Sequence, residues 1–225
     1  MKKCVFILIV LFLSVPRFFA QEDSSQKASQ SDTAQQDVME FSAQKMSGSM
    51  KKDQDYTKLS GAAKIKTNSM EIGADTIELY GKDFRFIKAQ GKVHGVQEED
   101  GLVFSCETME YDRQEKIALF TGAVVLEDKE NEVVAKAQRI EYREDDALAL
   151  MQVNVELTKK DSVSTCAFAL YRKEEKLLEM TGNPQVVQGE DTFRAQEIIF
   201  NLDTEEITMD GRVQGTVIED GETES

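Results

Sequence analysis

Over most of the chain apolar and polar side chains alternate one for one. Ile77-Glu78-Leu79, Met109-Glu110-Tyr111 and Ile140-Glu141-Tyr142 each place two apolar groups either side of a carboxylate, and Met209, Gly211, Val213, Gly215 and Val217 are likewise separated by polar or charged residues. A period of two sends neighbouring side chains to opposite faces of an extended backbone, so these runs predict strands with one buried face. Acidic turn segments separate them: Asp112-Arg113-Gln114-Glu115-Lys116, Arg143-Glu144-Asp145-Asp146 and Asp203-Thr204-Glu205-Glu206. Only two prolines occur, and one of them, Pro184, follows Gly182-Asn183 at the expected start of a strand. No long segment keeps a helical stripe without a breaker. The expected fold class is all-β, a stack of antiparallel strands without βαβ units.

The alternation is organised by a repeat of about thirty residues. Glycine recurs at Gly61, Gly91 and Gly122, is replaced by Val153, and returns at Gly182 and Gly211, with spacings of 30, 31, 31, 29 and 29. A column of small residues follows the same phase: Ala74, Cys106, Ala137, Cys166 and Ala195. Three residues later come Ile77, Met109, Ile140, Ala169 and Ile198, and two further on Leu79, Tyr111, Tyr142, Tyr171 and Phe200. Ala43 and Met46 fall in register, so the ordered region is expected to begin near Met39. A glycine held at one register marks a bulge or a close approach of backbones, because only glycine lacks a Cβ. The small column beside two large apolar ones predicts a continuous apolar trough, lined by Ile77, Leu79, Met109, Tyr111, Ile140, Tyr142, Ala169, Ile198 and Phe200. A plainly filled core satisfies the same periodicity.

Composition narrows what such a stack can do. Against 27 Lys and Arg stand 42 Asp and Glu, a formal charge of −15. That surface repels nucleic acid and anionic membranes, which are bound through clustered basic side chains. Lys2-Lys3 followed by the apolar run Cys4 to Val15 and Pro16 has the form of a secretory signal, cleaved after Ala20. Its 12 residues fall short of the roughly 20 that span hydrocarbon as a helix. Cleavage removes Lys2, Lys3 and Arg17 and takes the formal charge to −18. Residues 21–38 form a polar, Ser- and Gln-rich leader, residues 39–218 the repeat domain, and residues 219–225 an acidic tail.

At the C-terminal end the residues carry a family resemblance. Thr181-Gly182-Asn183-Pro184, Val186-Val187-Gln188-Gly189, Ala195-Gln196-Glu197-Ile198-Ile199-Phe200 and Gly211-Arg212-Val213 follow one another as turn and strand motifs that resemble the OstA-like, LptA-type bridge proteins of lipopolysaccharide transport. Weaker copies at Thr121-Gly122-Ala123-Val124-Val125 and Ala137-Gln138-Arg139-Ile140-Glu141-Tyr142 extend the likeness over residues 39–218. The resemblance implies a single twisted antiparallel β-jellyroll, open at both ends. Its interior would hold the acyl chains of lipopolysaccharide or a related glycolipid, with the sugar outside. It also implies a periplasmic location and end-to-end pairing, either with further copies or with jellyroll domains of inner- and outer-membrane transport proteins. Val153 and the strong acidity depart from the family's pattern.

Two other readings remain open from the residues alone: a relative that keeps residues 4–15 as an inner-membrane anchor, and a structural or adhesive β-solenoid with a filled core. Catalysis is not expected, since His94 is the only histidine and any Ser-His or Cys-His pair would rest on it. No cofactor is implied, and neither the nonapeptide of a calcium β-roll nor an EF-hand loop is present. Cys106 and Cys166 share a column two repeats apart. In-register stacking sets them about 10 Å or more from each other, beyond the roughly 7 Å that a disulfide spans, so free thiols are expected even in an oxidising compartment. Residues 207–217 read as one alternating edge strand open to pairing.

Overall fold

The computed structural model describes residues 38–49, 51, 55–68, 70–98 and 101–218. The chain divides into two units, Met1–Gln36 and Asp37–Ser225, and every described residue belongs to the second. The signal segment, the leader up to residue 37 and the tail 219–225 lie outside the described residues.

Sixteen strands form one antiparallel sheet. The first edge is made by β1 (Glu40–Ser42) and β2 (Lys45–Ser49), both paired to β3 (Tyr56–Lys66). A meander follows through β4 (Met70–Tyr80), β5 (Phe86–Gln97), β6 (Leu102–Asp112), β7 (Ile117–Asp128), β8 (Val133–Arg143), β9 (Leu148–Lys159) and β10 (Ser162–Arg172). Beyond β10 each strand is split in two: β11 (Leu177–Thr181) with β12 (Gln185–Gln188), β13 (Asp191–Arg194) with β14 (Glu197–Asn201), and β15 (Ile207–Asp210) with β16 (Gln214–Thr216). The only helical element among the described residues is a 3-10 turn, Lys82–Phe84.

Every long strand passes through a corner, and the corner is what the glycine column encodes. On alternate strands two consecutive residues take left-handed backbone: Gly61-Ala62, Gly91-Lys92, Gly122-Ala123, Val153-Asn154, Gly182-Asn183 and Gly211-Arg212. The ladder loses register there, between Gln90 and Val93 on β5 and between Thr121 and Val124 on β7, because two residues stand opposite one. At Gly122 a Cβ would lie 2.5 Å from Oε2 of Glu107 on the neighbouring strand, so a side chain is excluded by contact as well as by φ. On the intervening strands the bulge advances the phase by one. That is why residues three apart, such as Cys106 and Met109, both point inward.

The corner divides the sheet into two walls. The first holds Tyr56–Ser60, Thr76–Tyr80, Phe86–Gln90 and their equivalents up to β11, β14 and β15. The second holds Ala63–Lys66, Met70–Gly73, Val93–Gln97 and their equivalents up to β12, β13 and β16. Side chains from both walls pack into one apolar cluster, and the Phe104 ring of the second wall lies 4.8 Å from the Phe120 ring of the first. The outer face is charged, with cross-strand pairs such as Lys58–Glu78 (2.8 Å), Lys88–Glu110 (2.6 Å) and Lys136–Glu156 (2.8 Å). The fold is the expected all-β jellyroll, an open sheet folded along its line of corners.

Each repeat contributes two strands, so Cys106 on β6 and Cys166 on β10 are separated by four strand spacings, about 19 Å, well beyond the expected lower bound of about 10 Å, and both are free thiols. One expectation needs correction. The stretch 207–217 is not one strand: the Gly211-Arg212 corner splits it into β15 and β16 and leaves Val213 between them. Alternation continues across a corner of this kind, and period two alone cannot reveal the bend.

Candidate functional site

The interior between the walls is graded from corner to mouth. Beside the corner only Ala or Cys fits, and Ala74, Cys106, Ala137, Cys166 and Ala195 are all buried there. One step out, Ile77, Met109, Ile140, Ala169 and Ile198 have no solvent exposure at all. Near the mouth, where the walls diverge, come Leu79, Tyr142, Tyr171 and Phe200, all buried, and Tyr111, which is half-buried and packed against the same cluster. Glu78, Glu110 and Glu141 between them face outward and meet Lys58, Lys88 and Arg143. All nine residues expected along the trough therefore lie on the inner face. Burial pushes the thiols of Cys106 and Cys166 up to about 11, which keeps them protonated and poorly nucleophilic.

The trough expected from the sequence has only half of its lining. The strands that carry the corner glycine contribute equally, through residues two and four places before it: Leu59, Ile87 and Ala89, Ala118 and Phe120, Ala149 and Met151, Leu178 and Met180. Their phase relative to the glycine is as constant as that of the small column. Their size is not, and size variation from Ala to Phe hides a column that position alone would have shown. Small voids remain between the walls, of about 10 Å³ beside Leu102, Tyr142 and Met151 and about 10 Å³ beside Leu157, Leu178 and Phe200. Each holds at most one water.

The mouth is polar. Asp128, at the end of β7 on the second wall, is 3% exposed and accepts hydrogen bonds from the Tyr171 hydroxyl of the first wall (3.1 Å), the Asn131 backbone N–H (3.0 Å) and Asn131 Nδ2 (2.9 Å). Burial first, and then the Asp128 charge, drive the Tyr171 phenol far above its ordinary pKa. Lys173 is 7% exposed and stands 3.4 Å from Glu130, while Lys159 Nζ donates to the Leu202 carbonyl and Lys160 pairs with Glu205 at 2.8 Å. All four contacts join one wall to the other.

The acidic turns stack at the first wall's end. The backbone N–H of Arg113 donates to Arg85, that of Glu144 to Lys116, that of Lys173 to Ala147 and that of Leu202 to Lys176, at 2.8–3.0 Å. Side chains run in parallel with this ladder: Arg85 grips Asp112 through two nitrogens (2.8 and 2.6 Å), Lys116 meets Asp145 (2.7 Å) and Lys176 meets Asp203 (3.0 Å). The Arg85 guanidinium holds the Asp112 carboxyl below the usual carboxylate range. Among the described residues no group of three or more His, Cys, Asp or Glu is placed to hold a metal. His94 is an exposed residue of β5, its Nδ1 2.9 Å from the Lys92 carbonyl oxygen.

Both ends of the stack expose apolar side chains beside edge backbone. Val38, Phe41 and Met46 are exposed at the β1–β2 edge, where a cavity of about 230 Å³ lies among Glu40, Phe41, Lys64, Ile65 and Glu71. Ala43, in register with the inner columns, is exposed there too, because an edge strand has a neighbour on one side only. At the other end Val213, Val217 and Ile218 are exposed.

These features define a class of protein: a jellyroll sheath built from repeats, apolar within, charged outside, polar along its mouth and unpaired at both ends. Comparison with known families agrees. The model for the LptA/(LptD N-terminal domain) LPS transport protein matches residues 104–206, and that for the OstA-like protein matches residues 35–144. The chain belongs to the OstA-like, LptA-type family. No curated protein matches it. Among solved structures it is similar to LptH, the LptA-homologous periplasmic component of the lipopolysaccharide transport device of Pseudomonas aeruginosa, at 9% identity over 81% of this chain and 96% of that one, with a TM-score of 0.24.

Proposed function

We propose that this protein is a periplasmic carrier that shields the acyl chains of lipopolysaccharide or a related glycolipid on the way from the inner to the outer membrane. The observation that carries this reading is the inner face: an apolar lining repeated in every unit, uninterrupted by charge at Ile77, Met109, Ile140, Ala169 and Ile198, and running toward two open ends. An acyl chain entering such a lining gains about 0.8 kcal/mol per buried CH₂, enough for firm holding with no polar contact. Membership in a family of LPS transport proteins supports the same cargo. Open edges at both ends suit pairing with jellyroll domains of membrane-bound transport proteins and with further copies of this chain. The acidic exterior suits a body that stays off anionic membrane surfaces between its two ends.

The small size of the voids favours a second reading, a structural solenoid whose core is filled for good. Extraction of the protein purified without detergent, followed by mass spectrometry of the extract, separates the two. Acylated glycolipid in stoichiometric amount is expected. A lipid-free extract, together with no uptake of lipid A on incubation, would leave the solenoid. The mass of the mature protein distinguishes a freely diffusing carrier, which begins at Gln21, from a relative that retains residues 4–15 as an anchor.

A further inference from the structure

Among the described residues the lining is closed: Ile77, Met109, Ile140, Ala169 and Ile198 have no solvent exposure, and the voids beside Tyr142 and Phe200, of about 10 Å³ each, admit at most a water, so an acyl chain finds no room there unless the walls part. They are joined covalently in every strand at the corner, and opposite the corner they meet at the mouth. From β7 to the turn after β14 that meeting includes four polar contacts, Tyr171 to Asp128, Lys173 to Glu130, Lys159 to the Leu202 carbonyl and Lys160 to Glu205, set beside the buried apolar side chains of Leu102, Val133, Phe200 and Leu202. Their partners are distant in sequence, 43 residues for Tyr171 and Asp128 and 45 for Lys160 and Glu205.

The chemistry of these contacts differs from that of the lining. An apolar seam, once opened, would expose hydrocarbon to water. The polar contacts exchange their partners for water at small net cost, because those groups remain satisfied in either state, and the apolar side chains between them would be covered again by an entering acyl chain. At Tyr171 a ring of the core column meets a carboxylate of the opposite wall: the ring is buried among Tyr142, Ala149 and Met151, while its hydroxyl donates to Asp128. Opening at this residue would free lining and latch together.

We infer that this seam is a lateral gate, with Tyr171 and Asp128 as its latch, through which acyl chains pass sideways into the jellyroll while the sugar stays at the mouth. The inference rests on the proposed acyl cargo. It adds where that cargo enters and which residues resist it. Threading from the open ends alone would leave the seam closed throughout.

The test staples the gate without touching the latch or the large side chains of the lining. Lys160 and Glu205 are both more than half exposed and lie on turns of opposite walls, so Lys160→Cys with Glu205→Cys leaves the core intact. Cys106→Ala and Cys166→Ala, the residue found elsewhere in their column, remove competing thiols. The folded protein is then joined by a short bis-maleimide, and uptake of parinaric acid is followed by fluorescence against the same protein treated with a mono-maleimide. Stapling is expected to slow uptake at least tenfold, and Tyr171→Phe, unstapled, to speed it several-fold with circular dichroism unchanged. Equal uptake by stapled and unstapled protein, or no acceleration in Tyr171→Phe, overturns the gate while leaving an acyl carrier that loads from its ends. No uptake by the parent chain overturns the carrier, and the gate falls with it.

Discussion

Val153 occupies a corner position where the other repeats have glycine. Its φ is +66°, that of Asn154 beside it +53°, and its side chain is 55% exposed, so nothing packs to offset the left-handed conformation. A β-branched residue in that region costs on the order of 1–3 kcal/mol. Val153→Gly relieves the strain and adds chain entropy to the unfolded state, and the net expected is about 1 kcal/mol of added stability in urea unfolding. The reverse change, Gly122→Val, meets strain and the Glu107 side chain together and is expected to cost about 2–4 kcal/mol. The buried thiols supply a test in pH. Their folded pKa of about 11 lies above the unfolded value near 9, so the fold is favoured in full below pH 9 and loses that contribution as pH rises towards 11. Relative to the parent, Cys106→Ala with Cys166→Ala should flatten the fall in unfolding midpoint between pH 9 and 11. Parallel curves would mean that the thiols are solvated.

Among the elements, the edge strands decide how copies meet. Within β15, Ile207 and Met209 are half-buried and face the core, while Thr208 and Asp210 face out. An inward charge at Met209 reaches water at the open end of a lone domain, but would be buried by a docked neighbour. Met209→Lys is therefore expected to leave the fold intact and to abolish concentration-dependent association. Unchanged light-scattering mass at each concentration would show that this edge is not the contact. Proline at Val213, the change the sequence alone suggests, falls in the corner and would probe the bend instead. Strand positions, glycine phase and the small column were legible because each repeats a residue type at a fixed spacing. The bend at Gly211-Arg212 was not, since alternation continues through it. The pairing of Tyr171 with Asp128 was equally hidden, for the offset between walls is set by how the sheet folds over and leaves no local pattern.

At the scale of the whole jellyroll, the lining and the core are the same set of side chains, and one substitution separates their two roles. Ile140 has no exposure and lies in the middle of the stack. Ile140→Glu puts a carboxylate in that lining, at a cost that lowers stability by about 3–5 kcal/mol or raises the new group's pKa. In the carrier the variant that folds at pH 7 should hold markedly less lipid A than a matched change near an end, Ile77→Glu. Equal uptake by parent and Ile140→Glu, with matching circular dichroism, would mean that the acyl chains do not pass this point.

The stacked turns and identical corners also make span and contact independent variables. Inserting or deleting one unit of about thirty residues lengthens or shortens the stack by two strand spacings, about 9.5 Å, because every rung bonds only to its neighbours. Neither terminal edge is altered by such a change. A lineage can thus tune how wide a gap each copy bridges, as one sets a ruler, while the couplings at its two ends stay the same.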